Sequence, residues 1–220
     1  MLTSHAEEYV EAIYRLGGQT EPVGLADLAE QLSLSAASVN EMVRRLEGHG
    51  LVSYTPYRGV LLRHEGLCQA LAVIRRHRLW ERFLTDVLGL PWDAVHQEAC
   101  KLEHAASEEI TERLAVLLDH PQRCPHGRPM PSPDGELVPA PRAVPLVELE
   151  VGQSGIVEYV GREEPELLRY LGQLKVRPNA EITVEQVAPF EGPLTIRVND
   201  TAQVIGHKVA ETVFVQAEDH

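Results

Sequence analysis

Apolar residues recur at helical spacing through the first 120 positions and alternate with polar ones after residue 145. Val10, Ile13 and Tyr14 within Glu7–Leu16 predict an amphipathic helix that Gly17-Gly18 ends. Leu25–Leu32 repeats the pattern over a shorter span. Ser33-Leu34-Ser35 reads as a turn, with Ser35 as the N-cap of a third helix from about Ala36 to His49. That helix turns Val39, Met42, Val43 and Leu46 inward, and Gly50 closes it. Leu51-Val52-Ser53-Tyr54 and Gly59-Val60-Leu61-Leu62 then read as two strands joined by Thr55-Pro56-Tyr57-Arg58. Helix, helix, turn, helix and hairpin in this order are the layout of a winged helix-turn-helix.

A long helix is predicted from about Gly66 to Leu88, burying Leu71, Ile74, Leu79, Phe83, Leu84 and Val87. Pro91 suits the first turn of the next helix, which carries Val95, Ala99 and Leu102. Ser107 caps another over Glu108–Leu118. Residues 121–145 then hold eight prolines, which excludes a helix or a central strand and predicts a stiff, extended linker. Beyond it, alternating Val, Ile and Leu with Gly and Pro punctuation predict short strands. The expected organisation has four parts: the winged helix-turn-helix over 1–64, a helical domain over 65–120, the linker over 121–145 and a small β domain over 146–220. The fold class is multidomain: a mainly α winged helix-turn-helix, a helical domain and a C-terminal β domain.

Composition narrows the class of function. At 44% apolar and 24% charged, the chain has the makings of a packed core and is not a disordered polymer. It lacks an apolar run of about 18 residues and a signal-peptide-like start, so a cytoplasmic protein with no membrane partner is expected. Cys68, Cys100 and Cys124 are too few and too odd in number for a disulfide framework. The net charge of −13 argues against nonspecific coating of nucleic acid. Residues 35–63 run the other way, with Arg44, Arg45, Arg58 and Arg63 against Glu41 and Glu47, a local net of +2.

This basic segment coincides with the expected reading head. In a helix-turn-helix the second helix enters the major groove and its N-terminal residues meet base edges. Here those are Ser35, Ala36, Ala37, Ser38, Asn40 and Glu41, small and polar enough for close approach. Ser38 and Asn40 offer hydrogen bonds, and Ala36 or Ala37 a surface for a thymine methyl. Arg44, Arg45, Arg58 and Arg63 are candidate phosphate contacts, with Tyr57 at the wing tip. The plainer alternative is an ordinary solvated arginine face, because the same unit also serves in protein contacts.

Ten histidines prompt a search for metal ligands. His96, Cys100, Glu103 and His104 share one helical stripe over about two turns. His77 and Glu81 form an i,i+4 pair on the long helix, and Glu8 and Glu11 an i,i+3 pair on the first. Converging, the three helices would make a mixed nitrogen, oxygen and sulfur site for a divalent metal. Each pair also has a plain reading: His77 among arginines as surface charge, Glu7-Glu8 as a complement to the helix dipole, Cys100 as a small core residue. Cys124 and His126 are ligand types too, but their flanking prolines point to a rigid turn.

With these blocks assembled, the chain resembles the metal-dependent repressors typified by the diphtheria toxin repressor, the iron-dependent repressors and the manganese transport regulator. The resemblance is carried by Glu8-Tyr9-Val10-Glu11-Ala12-Ile13-Tyr14, Arg76-His77-Arg78-Leu79, Leu84–Leu90, the His96–His104 block and Cys124-Pro125-His126-Gly127. It implies a primary metal site at Cys100, Glu103 and His104, completed from the first helix. Where iron-type members carry methionine this chain has Glu8, and Glu8 and Glu11 match the manganese type. It further implies an ancillary site at His77, Glu81 and His96, with Glu158 as the best match for one donor from the last domain and a second, a glutamine in the family, near Gly161, Glu163 or Glu164. Residues 146–217 resemble the SH3-like domain of the longer members.

The expectation is therefore a metal-activated transcriptional repressor of metal-uptake genes. It would act as a homodimer on a palindromic double-stranded DNA operator, with Mn(II), alternatively Fe(II), as co-repressor and two ions per chain. The dimer interface is expected on the middle helices, centred on Trp80 or Trp92. A metalloenzyme using the His96–His104 stripe is the rival reading, and a metal-buffering or protein-interaction module the third.

Overall fold

A computed structural model of the chain describes residues 3–137 and 142–217. Its contacts divide into two compact units. One comprises the chain up to His77, Lys101–Ser107 and the segment that starts at Pro131. The other comprises Arg78–Cys100, Glu108–Met130 and the C-terminal part.

The first unit is a winged helix-turn-helix. Helix α1 (Ser4–Arg15) begins where the Ala6 amide donates to the Thr3 hydroxyl, 3.3 Å away. It is followed by α2 (Leu25–Leu32) and α3 (Ala36–Gly48). Ser33 at the end of α2 adopts a left-handed conformation, φ 54°, which turns the chain into α3. Ser35 caps α3 by accepting from the Ser38 amide at 3.2 Å. Strands β1 (Val52–Thr55) and β2 (Gly59–Leu62) pair antiparallel as the wing, and Val23 adds one bridge to Val60. Gly59 is required there: its φ is 121°, and a Cβ would stand 2.4 Å from the Val23 carbonyl oxygen. Tyr9, Val10, Ile13, Leu28, Val39, Val43, Leu46, Val52, Val60 and Ala70 are buried together, so α1 is part of the same core as the reading head.

The long helix α4 (His64–Asp86) gives its first fourteen residues to this unit and the rest to the second. Helix α5 (Val95–Leu102) is divided likewise, and α6 (Glu108–Leu117) lies in the second unit. There Leu79, Leu114, Ala115 and Met130 make a small core, with Trp80, Phe83 and Leu118 packed partly against it.

The C-terminal part of the second unit holds a six-stranded antiparallel sheet. Its strands are β3 (Val144–Pro145), β4 (Ser154–Val160), β5 (Glu181–Val187), β6 (Leu194–Val198), β7 (Thr201–Ile205) and β8 (Val213–Ala217), ordered β3-β8-β4-β5-β6-β7. The amphipathic helix α7 (Pro165–Gln173) buries Leu168 and Leu171 against it, and the one-turn α8 (His207–Ala210) precedes β8. This is the SH3-like arrangement.

Two expectations fail on packing. The proline-rich stretch does not begin as an extended linker. Cys124, His126 and Met130 are buried in the second unit, and Gly127 turns the chain at φ 88°. A Cβ on Gly127 would fall 2.0 Å from the Glu158 carbonyl oxygen, so only glycine lets this turn lie against β4. Residues 138–141 of the expected linker lie outside the described residues. Trp92 is not a surface anchor: it is 5% exposed and belongs to the core of the β sheet, with the Arg177 guanidinium 5.0 Å from its ring.

Candidate metal centres and nucleic-acid interface

The residues proposed to meet DNA share two properties in the first unit: they are exposed and they lie along α3 or on the wing. Ser35, Ala36, Ala37, Ser38, Asn40, Arg44 and Arg45 are exposed along α3, while Val39, Val43 and Leu46 anchor its opposite face. Tyr57, at φ 64°, is fully exposed at the wing turn, and Arg58 beside it is exposed. Arg44 lies 4.6 Å over the Tyr54 ring and 3.5 Å from Glu47, so the wing and α3 hold it in place. Arg63 is exposed beyond β2.

Behind this surface, the first unit carries a buried chain of acids and imidazoles. His77 Nδ1 on α4 is 2.6 Å from Glu103 Oε2, and both side chains are almost wholly inaccessible. Glu103 Oε1 is 3.2 Å from His104 Nε2, and His104 Nδ1 is 2.9 Å from Glu7 Oε2. The other Glu7 oxygen is 2.9 Å from Arg76 Nη2, and Arg76 Nε donates to the Glu103 carbonyl at 2.8 Å. Glu11, one turn along α1 from Glu7, is buried beside them and takes an ion pair from Arg15 at 2.8 Å. Burial raises the Glu103 carboxyl's pKa, but His104 and His77 together hold it below the usual range. Hydrogen bonds that His104 donates to Glu103 and then to Glu7 push its pKa up to about 10.

One donor atom each from Glu11, Glu103 and His104 lies within 4.8 Å of the others. An ion with bonds of about 2.0–2.2 Å to nitrogen and oxygen spans donors up to about 4.4 Å apart, so these donors need to close by no more than a few tenths of an ångström to hold one. Two buried carboxylates and an imidazole are the donor chemistry of a divalent transition metal, and the set fits one. Glu8, expected here, is on the exposed side of α1 with His5 Nδ1 at 3.4 Å. Glu7, first read as a dipole complement, is the acid that reaches His104.

The second unit holds another cluster around Glu81, which is completely buried. Glu81 Oε1 is 3.5 Å from His96 Nδ1 and 3.3 Å from His126 Nδ1. Glu163 Oε2 is 3.0 Å from His96 Nδ1, and Arg128 Nε is 3.6 Å from the other Glu163 oxygen. Donor atoms of Glu81, Cys124 and His126 also lie within 4.8 Å of one another. The Trp92 carbonyl, 2.8 Å from His126 Nε2, holds the ring in place. Burial disfavours the charged form of His96, yet Cys100, Glu163 and Glu81 push it up to about 11. Burial acts the same way on His126, and Cys124 and Glu81 raise it to about 11.

Cys100 belongs to this unit, exposed, with its sulfur 3.7 Å from His96 Nε2. Glu158 is not brought to His96: its carboxylate lies 2.6 Å from Arg123, and Glu163 takes the expected place. The physical reason is register. Glu158 sits within β4, whereas Glu163 lies past the end of that strand, in the loop before α7. The sequence offers Glu163 only beside Gly161 and Glu164 as a neighbour of an unplaced second donor, because a loop acid carries no periodic signal. Sequence reasoning weighed Cys124 and His126 and set them aside on their prolines, but the prolines build the buried turn that presents them.

A DNA-reading head whose core contains the helix that borders a buried metal-ligand cluster defines a metal-responsive DNA-binding regulator. Three family models cover most of the chain: iron dependent repressor, N-terminal DNA binding domain, over residues 1–60; iron dependent repressor, metal binding and dimerisation domain, over 63–132; and FeoA domain, over 144–217. The chain is 35% identical over 228 residues to the iron-dependent repressor IdeR of Mycobacterium leprae, covering 98% of each. It is 42% identical over 130 residues to the diphtheria toxin repressor of Corynebacterium glutamicum, 59% of this chain and 57% of that one. Among solved structures, a manganese-dependent transcriptional repressor in complex with manganese matches with a TM-score of 0.89 at 33% identity, over 97% of this chain and 100% of the other. The chain belongs to the iron-dependent repressor family, whose members are metal-dependent DNA-binding transcriptional repressors and not enzymes. The metalloenzyme reading therefore falls. Among the described residues no helix is long and apolar enough to cross a membrane.

Proposed function

We propose that this protein is a cytoplasmic co-repressor-type sensor that shuts off metal-uptake genes when Mn(II), alternatively Fe(II), fills two centres per chain. The first centre would use Glu11, Glu103 and His104, with His77 held against Glu103; the second Glu81, His96 and Glu163, with Cys124 and His126 alongside and His77 a donor there by resemblance. Glu8 and Cys100 remain donors by resemblance, and Glu8 would first have to leave His5. The four-part organisation with boundaries near 64, 120 and 145 is kept as the functional division.

The observation that carries this reading is the shared core of α1 and α3. Glu11 lies on α1, His77 on α4, and Glu103 and His104 just past α5. An ion bound to Glu11, Glu103 and His104 would tie α1 to the segment after α5, itself held to α4 by the His77–Glu103 pair, in the unit that presents Ser35–Arg45. Without an ion, Glu7, Glu11 and Glu103 repel one another apart from their His and Arg partners. A ligand shifts an equilibrium only by its differential affinity for the two states, a coupling of about 1–3 kcal/mol in typical cases. Two divalent ions would add four positive charges to a chain of −13.

Manganese is favoured over iron by the donors of the first centre, which are carboxylates and imidazoles without a thioether. The dimer would form on the second unit. Val87 and Leu88 after α4, and Ile110, Val116 and Leu117 on α6, are large apolar side chains left exposed, and Trp80 and Phe83 are only half-buried. A two-fold dimer would read a palindromic operator whose half-sites lie about 10 base pairs, or a multiple of that, apart. A gel-shift on double-stranded operator DNA with Mn(II) against chelator tests the reading; retardation that is equal in both would reject it.

A further inference from the structure

His104 has both ring nitrogens engaged by carboxylates, and the two carboxylates differ in kind. Nε2 faces Glu103 at 3.2 Å, a fellow donor of the first centre. Nδ1 faces Glu7 at 2.9 Å. The second oxygen of Glu7 is occupied by Arg76 at 2.9 Å. The same guanidinium reaches through Nε to the Glu103 carbonyl at 2.8 Å, one peptide before His104. Arg76 thus fixes the Glu7 carboxylate and the backbone that carries the imidazole in a single frame. An ionised carboxylate only accepts hydrogen bonds, so the Nδ1 that faces Glu7 carries the proton.

We propose that Glu7 is a positioning residue for metal capture: it accepts the Nδ1–H of His104, fixes that tautomer and turns Nε2, alone of the two nitrogens, into the metal donor. Glu7 itself is not a ligand, since Arg76 and His104 take both of its oxygens. A carboxylate behind a metal-binding imidazole orients the ring and raises its basicity, and loss of such a partner typically weakens metal binding by about 10–100-fold. The buried setting makes the effect large, because Glu7 and Arg76 are each mostly shielded from water. Helix α1 then enters the centre twice, through Glu11 as a donor and through Glu7 as the support of a donor on another segment.

This inference rests on the proposed first centre, and the experiment separates the two. Metal affinity is measured by titrating Mn(II), and Co(II) for its visible spectrum, into the full-length chain and its Glu7→Ala, Glu7→Gln and His104→Ala variants. The His104 tautomer is read from the ring nitrogen shifts of the Zn(II)-loaded protein by NMR. The expected result is a roughly 10–100-fold weaker Kd for Glu7→Ala. Glu7→Gln should lose less, because its amide oxygen still accepts from Nδ1–H. The Co(II) spectrum should stay wild-type in both, and Nδ1 should be protonated in the wild type. If Glu7→Ala does not fold, Glu7→Gln with an unchanged spectrum and a small loss carries the test. A wild-type Kd in Glu7→Ala, an equal loss in both Glu7 variants, or an altered Co(II) spectrum in Glu7→Gln would overturn the proposal. If instead His104→Ala binds like the wild type, the centre itself is misplaced.

Discussion

The imidazole of His77 and the carboxylate of Glu103 stand 2.6 Å apart in a pocket that leaves each only a few per cent exposed. Neither residue is near the other in sequence, and each alone would be a costly group to bury. Their pairing identifies Glu103 as a fixed point of the first centre before any ion arrives. Removing one partner strands the other, and such losses run to about 3–5 kcal/mol. Glu103→Ala should therefore destabilise the metal-free protein by about 3 kcal/mol in chemical denaturation, and also abolish metal-dependent DNA binding. A variant of wild-type stability would mean that the pair is not held as described.

Glu81 should govern the second centre. It is wholly buried between His96 and His126. Metal content after dialysis against Mn(II) is expected to fall by one ion per chain in Glu81→Ala, and to stay at the wild-type value in Glu158→Ala, whose carboxylate serves Arg123. If Glu158→Ala lost the ion and Glu81→Ala kept it, the donor set would have to be redrawn.

Metal uptake should release protons. In the metal-free chain His104 and His96 are raised to about 10 and about 11, so both are protonated at neutral pH, and each binds an ion only after losing a proton. Apparent affinity should rise with pH between 6 and 8, roughly tenfold per unit for each proton displaced. The sign for folding is opposite. Raised folded-state values stabilise the metal-free protein fully below the unfolded histidine value of about 6.5, and that stabilisation is lost as pH climbs through about 10 to 11. Calorimetric titration in buffers of different ionisation enthalpy measures the protons directly; none released would contradict the assignment.

The dimer surface gives a paired test. Leu88→Asp combined with Leu117→Asp should yield a monomer at micromolar concentration by sedimentation, with the fold intact by circular dichroism. Trp92→Ala should do the reverse: it empties a core position of the β sheet, at a cost of about 3–5 kcal/mol, without a direct effect on association. A dimer that survives the double substitution and dissociates in Trp92→Ala would restore Trp92 to the interface.

Much of the molecule was legible in sequence because its signals are periodic. The four helices through α4 fall within a few residues of their predicted spans, since each is bounded by a glycine, a serine cap or a turn. The exposed face of α3 followed from the inward Val39, Val43 and Leu46. Spacing put Glu103 and His104 on one stripe with His96 and Cys100, and His77 beside Glu81, but it could not choose between Glu7 and Glu8. Both are acids near the start of α1, and only the packing of α1 decides which one faces His104. Trp92 misled for the opposite reason: a large aromatic at a helix start looks like an interface anchor until the distant β strands that cover it are in view. Glu163, Cys124 and His126 lie on loops, where position is set by tertiary contacts with Gly127, Arg128 and the Trp92 carbonyl.

Metal at the first centre is proposed to switch the reading head on. The most direct measurement is the fluorescence anisotropy of labelled operator DNA, titrated with the full-length chain at fixed ionic strength in Mn(II) and again in chelator, for the wild type and His104→Ala. Tight binding is expected only for the wild type with Mn(II), with weak, matching isotherms for the other three combinations. Binding by the wild type that is equally tight in chelator, or a His104→Ala variant that still responds to Mn(II), would contradict the proposal.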